Sequence, residues 1–225
     1  MKDKPFSIAI DGPSGAGKSS AAKAVARELN AMYLDTGAMY RAVGVYMMRN
    51  GISLDDGEAI EANVSGADIQ VRFENGVQKM YLAGEDISEA IRTPEASTAA
   101  SKVSAVPGVR ERMVQLQRSI AAGHSVVMDG RDIGTHVLPD APLKIFLTAS
   151  SQERARRRWL ELQEKGANQS YEDVLADIRE RDARDCGRAA SPLRKAGDAV
   201  ELDCSQMDLP AVTREILRLA RERMA

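Results

Sequence analysis

A glycine-rich loop near the start of this 225-residue chain has the spacing of a phosphate-binding motif. It follows the pattern G-x-x-x-x-G-K-[ST], in which backbone N–H groups turn toward phosphate oxygens and the lysine reaches the outer phosphates. Lys18 is that lysine, and the hydroxyl of Ser19 is the expected Mg²⁺ ligand. We therefore expect a nucleoside triphosphate to be bound by the whole loop, which comprises Gly12, Pro13, Ser14, Gly15, Ala16, Gly17, Lys18, Ser19 and Ser20.

The phosphate-binding loop alone leaves several nucleotide-dependent functions open. A GTPase switch would need an Asn-Lys-x-Asp element to read guanine, and no Asn-Lys pair occurs in the sequence. Helicases and transporter ATPases are usually longer chains. The pattern therefore favours a small-molecule kinase.

A second group of charged residues follows the apolar run Val126–Met128. Asp129, Arg131 and Asp132 would lie at the carboxyl end of a parallel strand, which is where α/β sheets bind ligands. A carboxylate in this place can reach Mg²⁺ directly or through water, so Asp129 is a candidate metal ligand. The alternative is a strand-end turn with a surface ion pair.

Arginines recur at helical spacing in the last third of the chain. At about 100° per residue, Arg181, Asp185 and Arg188 fall on one flank of an apolar stripe that ends at Ile178. Guanidinium groups this close repel one another unless anions lie between them, and Asp185 together with a bound nucleotide would supply those anions. The alternative interpretation is a solvated helix face with salt bridges.

Residues 153–170 are predicted to form a helical lid. Ser150 and Glu153 have the spacing of a capping box, the basic run Arg154–Arg158 follows, and Gly166–Gln169 connects to the next helix. A lid would keep water away from the triphosphate when the acceptor is absent. Nucleic-acid binding through the basic run is disfavoured, because the net charge is −2 and only 4% of the residues are aromatic.

The elements that must position these groups alternate between strand and helix. Five short apolar runs bounded by turn residues predict buried strands, and a helix from about Lys18 to Asn30 follows the first of them. This alternation predicts one α/β domain over residues 1–225: a three-layer P-loop kinase sandwich with a five-stranded parallel sheet. The predicted strands are Phe6–Ile10, Met32–Leu34, Val126–Met128, Leu143–Leu147 and Ala199–Leu202.

One stretch breaks this alternation. Residues 68–73 and 77–82 each show period-two alternation, and Asn75-Gly76 lies between them, so a β-hairpin is predicted. We interpret residues 63–100 as a subdomain inserted into the α/β core.

Composition limits the remaining possibilities. Hydrophobic residues make up 44% and charged residues 28%, as in ordinary soluble globular proteins. The two cysteines and two histidines have no metal-type spacing, and no apolar run of about 18 residues suggests a membrane span. We therefore expect a cytoplasmic protein that contacts neither membrane nor nucleic acid. Its 22 arginines exceed its 9 lysines, which suits two-pronged recognition of phosphate.

Taken in order along the chain, these motifs resemble those of the bacterial cytidylate kinases, which belong to the P-loop nucleoside-monophosphate kinases. The resemblance covers essentially the whole chain, and the inserted hairpin fits the enlarged monophosphate-binding domain of that family. It is carried by the segments Ile10–Lys18, Leu34–Arg41, Gly84–Ile87, Ile91–Thr93, Asp129–Asp132, Pro139–Pro142, Lys144–Leu147 and Arg181–Arg188.

The resemblance implies phosphorylation of CMP and dCMP by ATP with Mg²⁺, and we expect the chain to act as a monomer. Residues at matching positions are then expected to bind the two nucleotides. For the acceptor phosphate these are Thr36, Arg41 and Arg131; for the cytosine, Ser101, Arg110, Asp132 and Arg188; for the ribose and nearby phosphate, Arg181 and Asp185; and for ATP, the lid residues Arg154 and Arg157. Lys18, Arg131 and Arg181 would be the catalytic residues.

Two positions depart from the family pattern. Lys18 is followed by Ser19 and Ser20 where many relatives have Gly-Thr, so either hydroxyl could bind Mg²⁺. Thr36 stands where serine is common, and the hydroxyl is kept.

Other functions stay open on the sequence. The acceptor could be UMP, AMP or a metabolite such as shikimate, because the groups that reach the base are assigned only through the resemblance. A protein that senses ATP without transferring phosphate is a rival of another class. The Asp129–Asp132 segment and the arginine flank argue against it, because a sensor needs no second phosphate site.

Overall fold

The structure, a computed structural model, describes residues 5–164, 166–188 and 190–224. Five strands form one parallel sheet in the order β2-β6-β1-β7-β8, so the predicted α/β architecture is confirmed. The strands are β1 (Ser7–Asp11), β2 (Met32–Asp35), β3 (Ile69–Glu74), β4 (Val77–Leu82), β5 (Glu85–Asp86), β6 (Val126–Gly130), β7 (Leu143–Thr148) and β8 (Val200–Asp203).

Eight α-helices and several single turns complete the described part of the chain. The helices are α1 (Lys18–Glu28), α2 (Thr36–Arg49), α3 (Gly57–Asn63), α4 (Pro94–Val103), α5 (Pro107–Ala121), α6 (Ser151–Glu164), α7 (Tyr171–Gly187) and α8 (Leu209–Met224). One π-helical turn, Ile133–Val137, follows β6.

The chain divides into two compact units. The first unit comprises Met1–Ala31 and Ser125–Ala225, and the second comprises Met32–His124. The predicted insertion, residues 63–100, lies within the second unit, and the predicted lid, residues 153–170, lies within the first.

In the first unit, β1 lies between two parallel neighbours. Its Ile8 pairs with Val127 of β6 and with Leu143 of β7, and all three side chains are buried. Strands covered on both faces read as continuous apolar runs, which is why periodicity alone could locate them. Helix α1 packs against β6 and α8, so the loop between β1 and α1 is held at both of its ends.

In the second unit, the predicted hairpin is present as β3 and β4. Glu74 pairs with Val77, and Asn75 and Gly76 both have positive φ, of 52° and 76°. Two consecutive residues with positive φ make the turn whose twist matches that of a hairpin, and Asn-Gly is the pair that adopts it most readily. Short β5 adds a third strand to this sheet.

Helices α4 and α5 of the second unit, like α3, were not predicted from the sequence. Each begins with a proline, Pro94 in α4 and Pro107 in α5, where the missing N–H costs nothing. Thr93 caps α4 by accepting a hydrogen bond from the N–H of Ala96 at 3.1 Å. Both start signals are present in the sequence, and both were overlooked there.

Gly12 provides a test of how tightly the first unit holds the glycine-rich loop. Its φ is +147°, and a Cβ atom there would lie 2.0 Å from the carbonyl oxygen of Leu147 in β7. Because that oxygen belongs to a buried strand, it cannot move aside. We expect Gly12→Ala to lower the free energy of unfolding by about 3 kcal/mol or more.

Gly17→Ala is the matched control for Gly12→Ala. Gly17 also has positive φ, of +88°, but a Cβ atom there would meet nothing within 4 Å. Only the backbone strain remains, which costs about 1–2 kcal/mol. Urea denaturation of both variants measures the difference, and equal losses would show that Leu147 does not constrain the loop.

Candidate functional site

The glycine-rich loop joins β1 to α1 as predicted, and Lys18 is the first residue of the helix. Gly15 and Gly17 adopt φ of 77° and 88°, which side chains disfavour and which lets the chain wrap tightly. The Lys18 side chain is buried, and its Nζ donates a hydrogen bond to the carbonyl oxygen of Pro13 at 2.8 Å. The loop is therefore closed by its own lysine.

The protein around Lys18 disfavours the charged form of its side chain. Burial and, after it, the nearby guanidinium groups of Arg131 and Arg181 together lower its pKa to about 7, against the opposing charge of Asp129. Lys18, Arg131 and Arg181 thus place three cationic groups near one another. An anionic phosphate bound there would favour the charged form of Lys18.

Ser19, in the first turn of α1, is in contact with Asp129 of β6. The Ser19 hydroxyl donates to Oδ2 of Asp129 at 2.9 Å, and Asp129 is buried within β6. The strand is two residues longer than predicted, so Asp129 lies inside it rather than just beyond it. A hydroxyl and a carboxylate are hard oxygen donors, the type that Mg²⁺ prefers. The pair therefore fits a magnesium site.

Asp11, the last residue of β1, holds the segment that follows β6. Its two carboxylate oxygens accept hydrogen bonds from the N–H groups of Ile133 and Gly134, at 2.8 and 2.7 Å. Burial raises the pKa of Asp11 to about 6, against the lowering effect of these two bonds. This contact fixes the backbone just after Asp132. No role was assigned to Asp11 from the sequence, in which it directly follows the first predicted strand, Phe6–Ile10.

Asp185 of α7 joins two of the predicted nucleotide-binding arginines. Arg131 donates through Nε to Oδ2 of Asp185 at 2.7 Å, and Nη2 of Arg188 donates to Oδ1. Asp185 is 1% exposed, which excludes a solvated helix face at this position. Burial raises its pKa, but the guanidinium groups of Arg131 and Arg188 hold the pKa of Asp185 below its ordinary value. The arginines are thus held together by a shared anion.

Stability should depend on pH through Asp185. A lowered folded-state pKa means that this carboxylate stabilises the fold above its unfolded pKa of about 4, and that the effect is lost as pH falls below that value. We expect Asp185→Asn to cost about 3 kcal/mol at pH 7, because it leaves two partly buried guanidinium groups without their anion. The difference from wild type should shrink below about pH 4.

Denaturant titrations at pH 7, 5 and 3 test this expectation. Asp177→Asn, at an exposed position of the same helix, is the control and should change stability little at any pH. A constant difference between Asp185→Asn and wild type across the series would contradict an ionised Asp185 in the folded protein.

The two arginines that are predicted to act in the lid are bonded within the first unit. Arg154 is 4% exposed and contacts the carbonyl oxygen of Ser14 and the carboxylate of Asp182. Arg157 pairs with Glu153 and donates to the carbonyl oxygen of Cys204 at 2.8 Å. As predicted, Ser150 caps this helix by accepting from the N–H of Glu153. Arg154 is therefore held against the phosphate-binding loop, and Arg157 against the residue that follows β8.

In the second unit, Thr36 and Arg41 lie near the start of α2. Thr36 is buried at the helix N-terminus, where Asp35 is the N-cap and accepts from the N–H of Ala38 at 2.9 Å. Arg41 pairs with Asp35 at 2.9 Å, and the Asp35 N–H donates to the side chain of Gln78. A helix N-terminus with an adjacent guanidinium suits a phosphate group.

Ser101 and Arg110 form a second polar group in this unit. The Ser101 hydroxyl is buried on α4 and has no hydrogen-bond partner in the described structure. Arg110 is also buried; it donates to the carbonyl oxygen of Ser104 at 3.1 Å and lies 5.7 Å from the centre of the Tyr40 ring. A buried hydroxyl without a partner is costly, and a ligand that bonds to it would remove that cost.

The model of one protein family matches almost the whole chain. It is that of cytidylate kinase, and it covers residues 8–222. Curated cytidylate kinases are similar over nearly their full length. That of Caldicellulosiruptor bescii is 48% identical over 216 residues, covering 96% of each chain. That of Desulfitobacterium hafniense is 49% identical over 221 residues, covering 98% of this chain and 95% of the relative.

Solved structures show the same fold at low identity. A shikimate kinase from Acinetobacter baumannii in complex with shikimate has a TM-score of 0.50 and 14% identity, covering 98% of this chain and 95% of that one. An uncharacterized protein from Eubacterium ventriosum has a TM-score of 0.54 and 15% identity, with 97% and 99% covered. Along the part of this chain that the structure describes, no helix is both long and apolar enough to cross a bilayer.

Proposed function

This chain belongs to the cytidylate kinase family, and we propose that it transfers the γ-phosphate of ATP to CMP and dCMP, giving ADP with CDP or dCDP. One observation carries the proposal. Arg131 and Arg181 lie close enough to Lys18 to lower its pKa, and Asp185 holds Arg131 and Arg188 beside one another. A protein that only sensed ATP would need no such group of arginines next to its phosphate-binding loop.

ATP is the donor in this proposal, and the loop residues Gly12–Ser20 bind its phosphates. Lys18 contacts the outer phosphates, and Ser19 and Asp129 hold Mg²⁺. Ser19 is the better candidate of the two serines, because its hydroxyl already contacts Asp129. Mg²⁺ supplies charge neutralisation for the transferring phosphoryl group when it is bound.

CMP or dCMP is the acceptor. Thr36, Arg41 and Arg131 bind its phosphate, and Arg181 and Asp185 bind the ribose and the adjoining phosphate oxygens. The base is read by four side chains that combine hydroxyl, guanidinium and carboxylate groups: Ser101, Arg110, Asp132 and Arg188. The unpartnered hydroxyl of Ser101 supports this assignment, since a base edge would satisfy it.

The chemistry needs no nucleophile from the protein. An oxygen of the acceptor phosphate attacks the γ-phosphorus in line with the departing ADP. Lys18, Arg131 and Arg181 neutralise the charge that spreads over the transferring group, and they are positioned before the reaction begins. Residues 63–100 act as the monophosphate-binding subdomain and residues 153–170 as the lid, in a monomeric, cytoplasmic enzyme.

A coupled assay of ADP release tests the proposed function. The protein is given ATP, Mg²⁺ and, one at a time, CMP, dCMP, UMP, AMP, GMP or shikimate. We expect rapid ADP release with CMP and dCMP and little with the others. ADP release with none of these acceptors would reject the proposal, and release with UMP, AMP or shikimate alone would reassign the acceptor.

A further inference from the structure

The carbonyl groups of the phosphate-binding loop have donors of their own. When the N–H groups of such a loop turn toward phosphate, its carbonyl oxygens are left facing the protein and need partners. Pro13 receives the ammonium of Lys18, and Ser14 receives Nη1 of Arg154 at 3.0 Å. The carbonyl oxygen of Ala16 receives the thiol of Cys204 at 3.2 Å. Side-chain hydrogen bonds to these three carbonyl oxygens thus hold the loop backbone from the side opposite its N–H groups.

Of these three hydrogen bonds, Arg154 donates the one that comes from the predicted lid, residues 153–170. It extends from α6, where its Nε is already bound to the carbonyl oxygen of Ala149 at 2.9 Å. Its side chain also packs on the loop, since a Cβ atom on Gly15 would lie 3.3 Å from the Cβ of Arg154. The guanidinium is therefore fixed in a defined orientation against the loop rather than extended into solvent.

Asp182 of α7 sets that orientation. Its two carboxylate oxygens accept from Nη1 and Nη2 of Arg154, at 3.1 and 2.6 Å. This two-pronged geometry fixes the guanidinium plane, which a single hydrogen bond would not do. The side chains are 5% and 25% exposed, so solvent screens the pair only weakly. No role was assigned to Asp182 from the sequence.

Helix α7 thereby takes part in two separate contacts. Asp182 is bonded toward the loop, whereas Arg181 lies near Lys18 and Asp185 is bonded to Arg131 and Arg188. Arg181, Asp182 and Asp185 lie within two turns of α7. A change at Asp182 can disturb the loop without removing any group that we assign to the acceptor.

We propose that Asp182 is a positioning residue for ATP: through Arg154 it holds the carbonyl face of the phosphate-binding loop in the shape that binds the triphosphate. The proposal deepens the proposed function, because it concerns the donor site of that same reaction. It also changes the role expected for Arg154, which acts on the loop backbone at Ser14 instead of contacting ATP phosphates directly.

The first test separates donor from acceptor binding. Asp182→Asn keeps the size of the side chain but removes its charge. We expect about a tenfold rise in the KM for ATP and about a tenfold weaker binding of adenylyl imidodiphosphate with Mg²⁺, with the KM for CMP changed less than about threefold. Loss of helix α7 packing would raise both KM values together, and that result would overturn the proposal.

Glu180→Gln is the matched control, because it removes one carboxylate from an exposed position on the same helix. Glu180 pairs only loosely with Arg184, at 3.5 Å, and the change should leave both KM values at the wild-type level. Binding of adenylyl imidodiphosphate is measured without any acceptor. It therefore still tests Asp182 if the wild-type protein fails to phosphorylate CMP, which would reject only the proposed function.

A double-mutant cycle tests whether Asp182 acts through Arg154. Arg154→Ala, Asp182→Ala and the double variant are compared by the dissociation constant of adenylyl imidodiphosphate, with thermal melts to establish folding. If Asp182 serves only to orient Arg154, the double variant should bind no more than about threefold more weakly than Arg154→Ala. Multiplicative losses would show independent roles and overturn the proposal.

Discussion

Lys18→Met is expected to lower kcat/KM for phosphoryl transfer by roughly a thousandfold, while the protein still folds. Lys18 is buried in the loop, and Arg131 and Arg181 lie nearby. Methionine has a similar length and suits a buried site, but it supplies no charge for the outer phosphates. Coupled ADP release at saturating CMP measures the loss, and a thermal melt measures the fold.

Lys23→Met is the control for Lys18→Met. Lys23 lies on the same helix, α1, but is exposed. The change removes one positive charge from α1 without touching the loop, and activity should stay within about twofold of wild type. Full activity of Lys18→Met would show that the loop does not carry the transfer.

Arg188→Met is expected to raise the KM for CMP by about a hundredfold and the KM for ATP by less than about threefold. Arg188 is bonded to buried Asp185, which also holds Arg131. Its removal takes away one of the donors that we assign to the base and leaves Asp185 with one fewer cation. Arg188 acts through Asp185 of α7, whereas Lys18 is the residue that we assign to the phosphates of ATP, so the KM for ATP should change little.

Arg184→Met tests whether any arginine at the end of α7 has the same effect. Arg184 is 46% exposed and pairs with Glu180 on the helix surface. Both KM values should be unchanged in this variant. If Arg188→Met weakened ATP and CMP equally, Arg188 would not be a base-reading residue.

Patterns with a strong local cause were predictable from the sequence. The first strand was expected at Phe6–Ile10 and lies at Ser7–Asp11, and the helix expected from about Lys18 to Asn30 lies at Lys18–Glu28. Buried parallel strands are continuously apolar, and surface helices have a period near 3.6, so each leaves its own signal. The hairpin was predicted equally well, because Asn-Gly specifies its turn.

Contacts between distant segments could not be predicted in the same way. Asp11 bonds to residues 122 and 123 positions further along the chain, and Arg154 bonds to Asp182, 28 positions away. Neither spacing is periodic, and an aspartate at a strand end or on a charged helix has many possible partners. Only the sheet order and the packing of α6 on α7 select one partner. Helical periodicity predicted the flank formed by Arg181, Asp185 and Arg188. It could not predict the ion pair between Arg131 and Asp185.

The pairing of Arg131 and Arg188 on Asp185 has a consequence for the entropy of binding. A free arginine side chain loses about 2 kcal/mol of rotamer freedom when it is immobilised. Here both guanidinium groups are already immobilised when the chain folds, because one buried carboxylate holds them. A nucleotide bound by these two arginines, as we propose, would therefore meet donors with fixed directions. The arginine side chains therefore lose their conformational freedom on folding and not on binding. More of the free energy of contact then remains available to distinguish one nucleotide from another.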